Sequence, residues 1–143
     1  MPLTADADIK ALLEATRTVA LVGASDRPNR PSYGVMKSWQ DAGRRVLPIN
    51  PQITGQHVHG EYVWDRLEQL GMAIDMVDIF RRSEVAGEAV DDAIRAGAKS
   101  VWLQIGVVDE AAAARAEAAG LAVVMDRCPK VEMARLGVGK LED

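Results

Sequence analysis

The chain has few residues that could cross-link the fold covalently or bind a metal ion. Among its 143 residues there is one cysteine, Cys128, and there are two histidines, His57 and His59. A single cysteine forms no internal disulfide, and these three residues do not supply any of the usual structural zinc sets. We therefore expect neither a disulfide nor a metal site, and folding has to rely on buried apolar surface.

Long apolar runs and an excess of positive charge are also missing. The apolar stretches are far too short to span a bilayer, and the formal net charge is −4. A chain with this balance does not carry the broad cationic face that binds nucleic acid. The opening residues MPLTADAD contain two acids and no basic, apolar leader pattern, so we expect a cytoplasmic protein with neither a membrane nor a nucleic-acid partner.

What is present is the composition of an ordinary globular domain. Hydrophobic residues make up 48% of the chain and charged residues 27%. A domain of this length buries roughly two thirds of the surface that its unfolded form exposes. Because no linker, internal repeat or low-complexity tract divides the sequence, residues 1–143 are expected to form a single domain.

Short apolar runs alternate with segments of helical spacing, which is typical of strands and helices around a parallel sheet. Because parallel crossovers are right-handed, one reversal of direction buries both faces and gives the strand order 3-2-1-4-5. The sequence thus predicts a three-layer, Rossmann-like α/β fold with a five-stranded parallel sheet. The predicted strands are 18–22, 45–51, 76–80, 101–105 and 121–125, and the predicted helices begin after Thr4, near Ser32, near Arg66, at Ser83 and after Asp109.

The stretch VALVGASD, residues 19–26, reads as a buried strand that breaks at Gly23 and leads into a helix near Ser32. Without a Cβ, Gly23 lets the backbone turn sharply, so that a phosphate can approach the amides of Ala24 and Ser25. A tight strand-to-helix turn without a ligand is the alternative. Since the carboxyl ends of parallel strands meet at one edge of the sheet, Gly23 should converge there with Asn50, 80–83 and 104–106.

The standard dinucleotide fingerprint is absent from this loop. It requires G-x-G-x-x-G and an acid after the second strand, where the chain has GASDRP and Asn50-Pro51, so an ordinary NAD site is disfavoured. Arginines near the same edge favour a ligand with further phosphate, and solvated surface charge is the alternative interpretation. These arginines are Arg27, Arg30, Arg44, Arg45, Arg81 and Arg82.

Five segments, VALVGASDRPNRPSYGVM, VLPINP, DMVDIFRRSEVA, AKSVWLQIGV and GLAVVMDRCPKVE, follow one another between Thr18 and Leu136. In this order they resemble the small single-domain CoA-binding proteins of bacteria and archaea. Those proteins are similar in turn to the N-terminal CoA-binding domain of the succinyl-CoA synthetase α subunit and of the ADP-forming acyl-CoA synthetases. The resemblance implies that the ligand is coenzyme A or an acyl-CoA.

The resemblance also implies roles for individual residues. The CoA diphosphate would be held by Gly23, Ala24, Ser25 and Asp26, with the helix start at Ser32, Tyr33 and Gly34 completing the cradle. Arg45 matches the place of a synthetase lysine that meets CoA phosphate, and which of Arg27, Arg30 and Arg45 meets the 3′-phosphate stays open. The rest of the groove would be lined by Asn50, Pro51, Phe80, Arg81, Arg82, Ser83, Gln104, Ile105 and Gly106.

The synthetases work through a phosphorylated histidine in a later domain and a nucleotide-binding grasp domain, and we expect neither here. The two histidines are expected in a solvent-facing loop. Because no catalytic residues stand out, a binding module is favoured over two alternatives. One is an enzyme that uses NAD(P) or a CoA thioester, and the other is a regulatory protein that acts through a partner or as a homodimer.

Cys128 follows the last predicted strand and therefore falls at the same edge as the proposed site. Arg127 and Lys130 would favour its thiolate, which is the form that exchanges with disulfides or senses oxidants. An inert, buried cysteine at a chain reversal is the alternative.

Overall fold

A parallel sheet of five strands forms the centre of the structure, a computed structural model that describes residues 1–141. A two-stranded antiparallel hairpin lies beside it. The strands are β1 (Thr18–Val22), β2 (Arg45–Ile49), β3 (His57–Val58), β4 (Glu61–Tyr62), β5 (Met76–Ile79), β6 (Ser100–Leu103) and β7 (Ala122–Val124). The helices are α1 (Asp6–Ala15), α2 (Pro31–Asp41), α3 (Ser83–Ala96), α4 (Glu110–Ala118) and α5 (Pro129–Leu136), with a 3₁₀ turn at Leu67–Gln69.

Helices cover both faces of the sheet and give two separate apolar cores. On one face α1, α2 and α5 pack over the sheet around Trp39 and Trp102, which are fully buried. On the other face α3 and α4 pack through small residues such as Ala86 and Ala113, which let the helices lie close to the strands. The three-layer α/β architecture and the five parallel strands predicted from the sequence are confirmed.

The predicted strand order is wrong. The five strands lie in the order β2-β1-β5-β6-β7, so β5 pairs with β1 and not with the outer edge of β2. Numbered among the five strands alone, the observed order is 2-1-3-4-5, and the prediction was 3-2-1-4-5.

The reason for the observed order lies at Pro48 in β2. The Pro48 carbonyl accepts a hydrogen bond from the Trp64 amide at 2.9 Å, on the side of β2 away from β1. The N–H and C=O of a strand residue point the same way, so the missing N–H of Pro48 also falls on that side. A proline of this kind is confined to an edge strand, whereas the predicted order would have placed β2 between two others.

Several helix ends follow the sequence signals, and one does not. Asp109 caps α4, its Oδ1 accepting from the Ala112 amide at 3.0 Å, and Gly97 ends α3 at φ +74°. Thr4 was expected to cap the first helix, but α1 begins after Ala5 without a side-chain cap. Helix α5 was not predicted, although Pro129 at its start and Gly137 in the left-handed conformation at its end are both ordinary helix signals.

Arg44, which the sequence analysis placed near the strand ends of the site, is buried at the opposite edge of the sheet. Only 3% of its surface is exposed. Its guanidinium donates four hydrogen bonds to the carbonyl oxygens of Leu13, Thr16, Ala42 and Gly139, at 2.7 to 3.1 Å. Arg44 therefore joins the end of α1, the start of β2 and the segment after α5.

We predict that Arg44→Met lowers the free energy of unfolding by on the order of 3 kcal/mol, because it leaves buried carbonyl oxygens without donors. Chemical denaturation measures this. Arg45→Met is the matched control. Arg45 is exposed, and its ion pair with Glu61, at 3.6 Å, is a surface pair that stabilises the fold little, so its loss should change the free energy of unfolding by less than about 0.5 kcal/mol. Equal effects of the two substitutions would contradict the structural role of Arg44.

Candidate functional site

A cavity of about 810 Å³ opens where the carboxyl ends of β1, β2, β5 and β6 meet. In the strand order 2-1-3-4-5 the chain reverses direction between β1 and β5, which is where open α/β sheets bind ligands. Most of the residues predicted for the site lie here. Those that line the cavity are Gly23, Ala24, Ser25, Asp26, Arg27, Ser32, Asn50, Phe80, Arg81, Arg82, Gln104 and Ile105.

Six predicted residues do not line the cavity, and they are Tyr33, Gly34, Arg45, Pro51, Ser83 and Gly106. Arg45 lies at the amino end of β2, about 16 Å along the strand from Asn50. The Ser83 hydroxyl supports the rim from behind: it accepts from the Val108 amide at 3.1 Å and donates to the Gly106 carbonyl at 3.3 Å.

Other lining residues were missed or left open by the sequence analysis. Pro31 and Val35 are four residues apart on α2 and turn one face of its first turns toward the cavity. Arg30 and Cys128, which the sequence places at this edge, also line it. The remaining lining residues are Gln52, Ile53 and Val107, which come from loops that carry no periodic signal.

Gly23 is required by the close approach of two strand ends. Its φ is +88°, and a Cβ placed on it would lie 2.3 Å from the carbonyl oxygen of Phe80. No other residue fits this position without moving the backbone that follows β5. The two backbones that border the cavity therefore touch at this point.

The loop after β1 offers fewer free amides than the sequence suggested. The amides of Gly23 and Ala24 donate to the Ile49 carbonyl, at 3.0 and 3.2 Å. The amides of Ser25, Asp26 and Ser32 have no acceptor within residues 1–141. The amides available to a ligand are therefore those of Ser25, Asp26 and Ser32, and the Ala24 amide expected from the sequence is not among them.

Asn50 fixes this loop in place. Its side-chain Nδ2 donates to the Ala24 carbonyl at 2.7 Å, and its Oδ1 accepts from the Gln52 amide at 2.9 Å. One amide side chain thus joins the loops that follow β1 and β2. The role of Asn50 in the structure is to hold the cavity wall rigid as well as to line it.

Four arginine side chains line the cavity, and most of them form no ion pair with an acidic side chain among the described residues. Arg27, Arg30 and Arg81 form no ion pair with any residue that the structure describes. Arg82 lies 3.6 Å from Glu84, with both side chains largely exposed. Together with the amino end of α2, these arginines make the rim attractive to an anion even though the whole chain is acidic.

A buried carboxylate lies directly behind the cavity. Asp78 of β5 is fully buried, and it accepts from the Trp39 indole N–H at 3.0 Å and from the side-chain amide of Gln104. Burial raises the pKa of Asp78 to about 7, and the two hydrogen bonds oppose that rise. Gln104 therefore connects a titratable group in the core to the cavity.

The two histidines and the cysteine occupy defined places. His57 is exposed, but His59 is half-buried, with Nε2 2.9 Å from the Tyr33 carbonyl and its ring 4.1 Å from the Tyr33 ring. The expectation that both face solvent is therefore wrong for His59. Cys128 is half-buried at the start of α5.

Two further features are absent from residues 1–141. No helix in this range is long and apolar enough to cross a membrane. No group of three or more histidine, cysteine or acidic side chains lies close enough to hold a metal ion in the same range.

The fold and the cavity define a doubly wound α/β domain with an anion-attracting crevice at the reversal point of its sheet. The sequence profile described as "CoA binding domain" matches residues 17–134. The chain belongs to this family, which supports a CoA-related binding role.

The chain is also similar over most of its length to known proteins. The chain is 38% identical over 125 residues to the uncharacterized protein YneT of Bacillus subtilis, covering 87% of this chain and 91% of YneT. It is similar to a solved hypothetical protein from Pyrococcus horikoshii, with a TM-score of 0.88, 35% identity and coverage of 95% of this chain and 96% of that one.

A larger enzyme shares the fold. A dinucleotide-forming acetyl-coenzyme A synthetase 1 of Ca. Korarchaeum cryptofilum aligns with a TM-score of 0.67 and 23% identity, over 81% of this chain and 27% of the synthetase. At that identity the likeness concerns the fold alone.

We predict that Asp78→Asn changes how stability depends on pH. Between about pH 4 and pH 7 the unfolded chain loses the Asp78 proton while the folded protein keeps it, so ionisation makes the parent less stable as the pH rises. The free energy of unfolding of Asp78→Asn relative to the parent should therefore rise from pH 4 to pH 8, by on the order of 4 kcal/mol. Denaturation curves at several pH values measure it, and a pH-independent difference would contradict the shifted pKa.

Proposed function

We propose that this protein binds coenzyme A or an acyl-CoA in the 810 Å³ cavity, with the diphosphate against the loop after β1. The observation that carries the proposal is the set of free amides and unpaired arginines at that loop, in a chain that belongs to the CoA binding domain family. The cavity is of the size that proteins use for ligands of this class.

The diphosphate is bound by backbone donors and by the helix end. The amides of Ser25, Asp26 and Ser32 are free to donate to it, and the partial positive charge at the start of α2 adds to their effect. Gly23 lets the turn after β1 lie against the backbone of Phe80, which keeps these amides at the cavity.

The remaining phosphate is bound by arginine. Arg27, Arg30 and Arg81 lie around the cavity without ion pairs, so their guanidinium groups are available for charge-assisted hydrogen bonds. Arg45 lies at the far end of β2, beside Glu61, and contributes only weakly through its charge. Of the three arginines left open by the sequence, Arg27 and Arg30 are thus favoured for the 3′-phosphate.

The pantetheine arm lies along the apolar part of the cavity. Val35, Ile53 and Val107 line it, and Ile105 is 66% exposed at its rim. An exposed isoleucine beside a cavity gains burial when an aliphatic chain covers it.

We predict that Arg27→Ala, Arg30→Ala and Arg81→Ala each weaken CoA binding, the strongest by about tenfold or more, because a charge-assisted hydrogen bond is lost. Isothermal titration calorimetry with CoA and with 3′-dephospho-CoA measures this. The variant that lacks the 3′-phosphate partner should bind the two ligands with nearly equal affinity.

Arg95→Ala is the control for these three variants. Arg95 is at the end of α3, pairs with Asp92 and does not line the cavity. Its loss should leave CoA binding unchanged. The proposed site would be refuted by a triple variant of Arg27, Arg30 and Arg81 that binds CoA as the parent does.

A second candidate function is supported by the position of Cys128 in the cavity wall. In a thiol–disulfide exchange, the Cys128 thiolate would attack one sulfur of CoA disulfide. The disulfide bond of the ligand breaks, a mixed disulfide between Cys128 and CoA forms, and the second CoA leaves as a thiolate. Such a step would make the protein a CoA-linked redox carrier.

We predict that incubation with CoA disulfide gives a protein whose mass is increased by one CoA at Cys128. Mass spectrometry of the intact protein and of its peptides measures this, with Cys128→Ser as the control that should form no adduct. An unmodified parent under these conditions would exclude the redox function and leave the binding function in place.

A further inference from the structure

The Gln104 side chain lies between the buried Asp78 and the cavity. Gln104 is 8% exposed, and its Nε2 donates to Oδ1 of Asp78. Its Oε1 has no hydrogen-bond partner among the described residues. Every fully buried side-chain oxygen or nitrogen in those residues does have a partner. Oε1 is therefore not fully buried, and Gln104 lines the cavity proposed for the ligand.

The two partners of Asp78 restrict where its proton can sit. Oδ2 faces the indole N–H of Trp39, and an indole nitrogen only donates. A protonated Asp78 therefore carries its proton on Oδ1, where it requires an acceptor. Gln104 has one, Oε1, and can present it only if its amide turns over.

We infer that Asp78 is a positioning residue that selects which end of the Gln104 amide faces the ligand. When Asp78 is ionised, Gln104 turns its carbonyl oxygen to the cavity and accepts from an N–H of the ligand. When Asp78 is protonated, the amide turns and presents its NH₂ group instead. In the site proposed above, and resting on that proposal, the donor is an amide N–H of the pantetheine arm.

The groups around Asp78 leave it free to switch near neutral pH. Burial raises its pKa to about 7, and among the described residues only the hydrogen bonds from Trp39 and Gln104 oppose this. Its neighbours in the sheet are Leu21 of β1 and Trp102 of β6. None of the charged or titratable groups on the elements around it contributes to this shift, and these groups are Asp26, Arg27, Arg30, Tyr33, Lys37, Asp41, Arg81, Arg82, Asp126, Cys128, Lys130, Glu132 and Arg135.

Asp78→Asn imitates the protonated state at every pH. The oxygen of the introduced amide would accept from Trp39 and its NH₂ would face Gln104, which must then turn its own oxygen inward. The substitution keeps the shape of the side chain and removes only its charge. It therefore separates positioning from packing.

The free protein provides the first test. The side-chain NH₂ resonances of Gln104, assigned by their absence in Gln104→Leu, are followed by NMR from pH 5.5 to 8.5. We expect them to titrate with a midpoint near pH 7 in the parent and to stay at the acidic limit in Asp78→Asn. Resonances that do not titrate in the parent, or that titrate equally in the variant, would overturn the inference whether or not CoA binds.

Calorimetry with CoA provides the second test. At pH 8 Asp78→Asn should bind CoA about tenfold more weakly than the parent, and at pH 6 the two affinities should agree within about twofold. The ionisation of the CoA phosphate affects binding to both proteins equally, so it does not change the ratio of their affinities. An equal loss at both pH values would mean a structural role only, and would overturn the inference.

Gln104→Leu gives a route that does not depend on the folding of Asp78→Asn. It keeps Asp78 but removes the amide. The affinity for CoA should then change with pH only as far as the ionisation of CoA itself requires, and the further pH dependence seen in the parent should be lost. Retention of that further dependence would contradict the inference. If the parent does not bind CoA at all, the proposed function fails, and the NMR measurement still decides whether Asp78 turns Gln104.

Discussion

The cavity exists because the turn after β1 touches the backbone after β5. A side chain at Gly23 would overlap the Phe80 carbonyl, so a glycine lets these two segments meet at the reversal point of the sheet. With them in contact, Asn50 ties the same turn to the loop after β2, and the first turns of α2 face the opening. The cavity is thus walled by rigid strand ends, and its charged residues are on loops anchored to them.

The site separates two kinds of chemistry. Its rim has free backbone N–H groups and arginines without ion pairs, which suit an anion of high charge density. Val35, Ile53 and Val107 line its apolar part, and behind Gln104 lies the buried carboxyl group of Asp78. CoA carries phosphate groups and a long pantetheine arm in which aliphatic carbons alternate with amide groups, and membership in the CoA binding domain family agrees with that division.

Much of the fold follows from local pattern, because alternating apolar runs and helix end signals such as Gly97 and Asp109 act within a few residues. The strand order does not, since it depends on which edge of β2 is free. Pro48 was the signal for this, because a proline has no N–H to donate to a strand on that edge. Which amides of the turn are free depends on the Ile49 carbonyl, from a distant segment, and no local pattern reports it. Asp78 in an apolar strand signals a buried partner but does not identify Trp39 or Gln104.

The proposed binding of the CoA diphosphate by the turn after β1 is the step on which the proposed roles of the other cavity residues depend. A crystal structure of the protein grown with saturating CoA is the decisive experiment. Diphosphate oxygens are expected within hydrogen-bond distance of the Ser25 and Asp26 amides, with arginine side chains from the rim on the remaining phosphate. CoA bound elsewhere on the protein, or a turn without ligand under these conditions, would contradict this mode of binding.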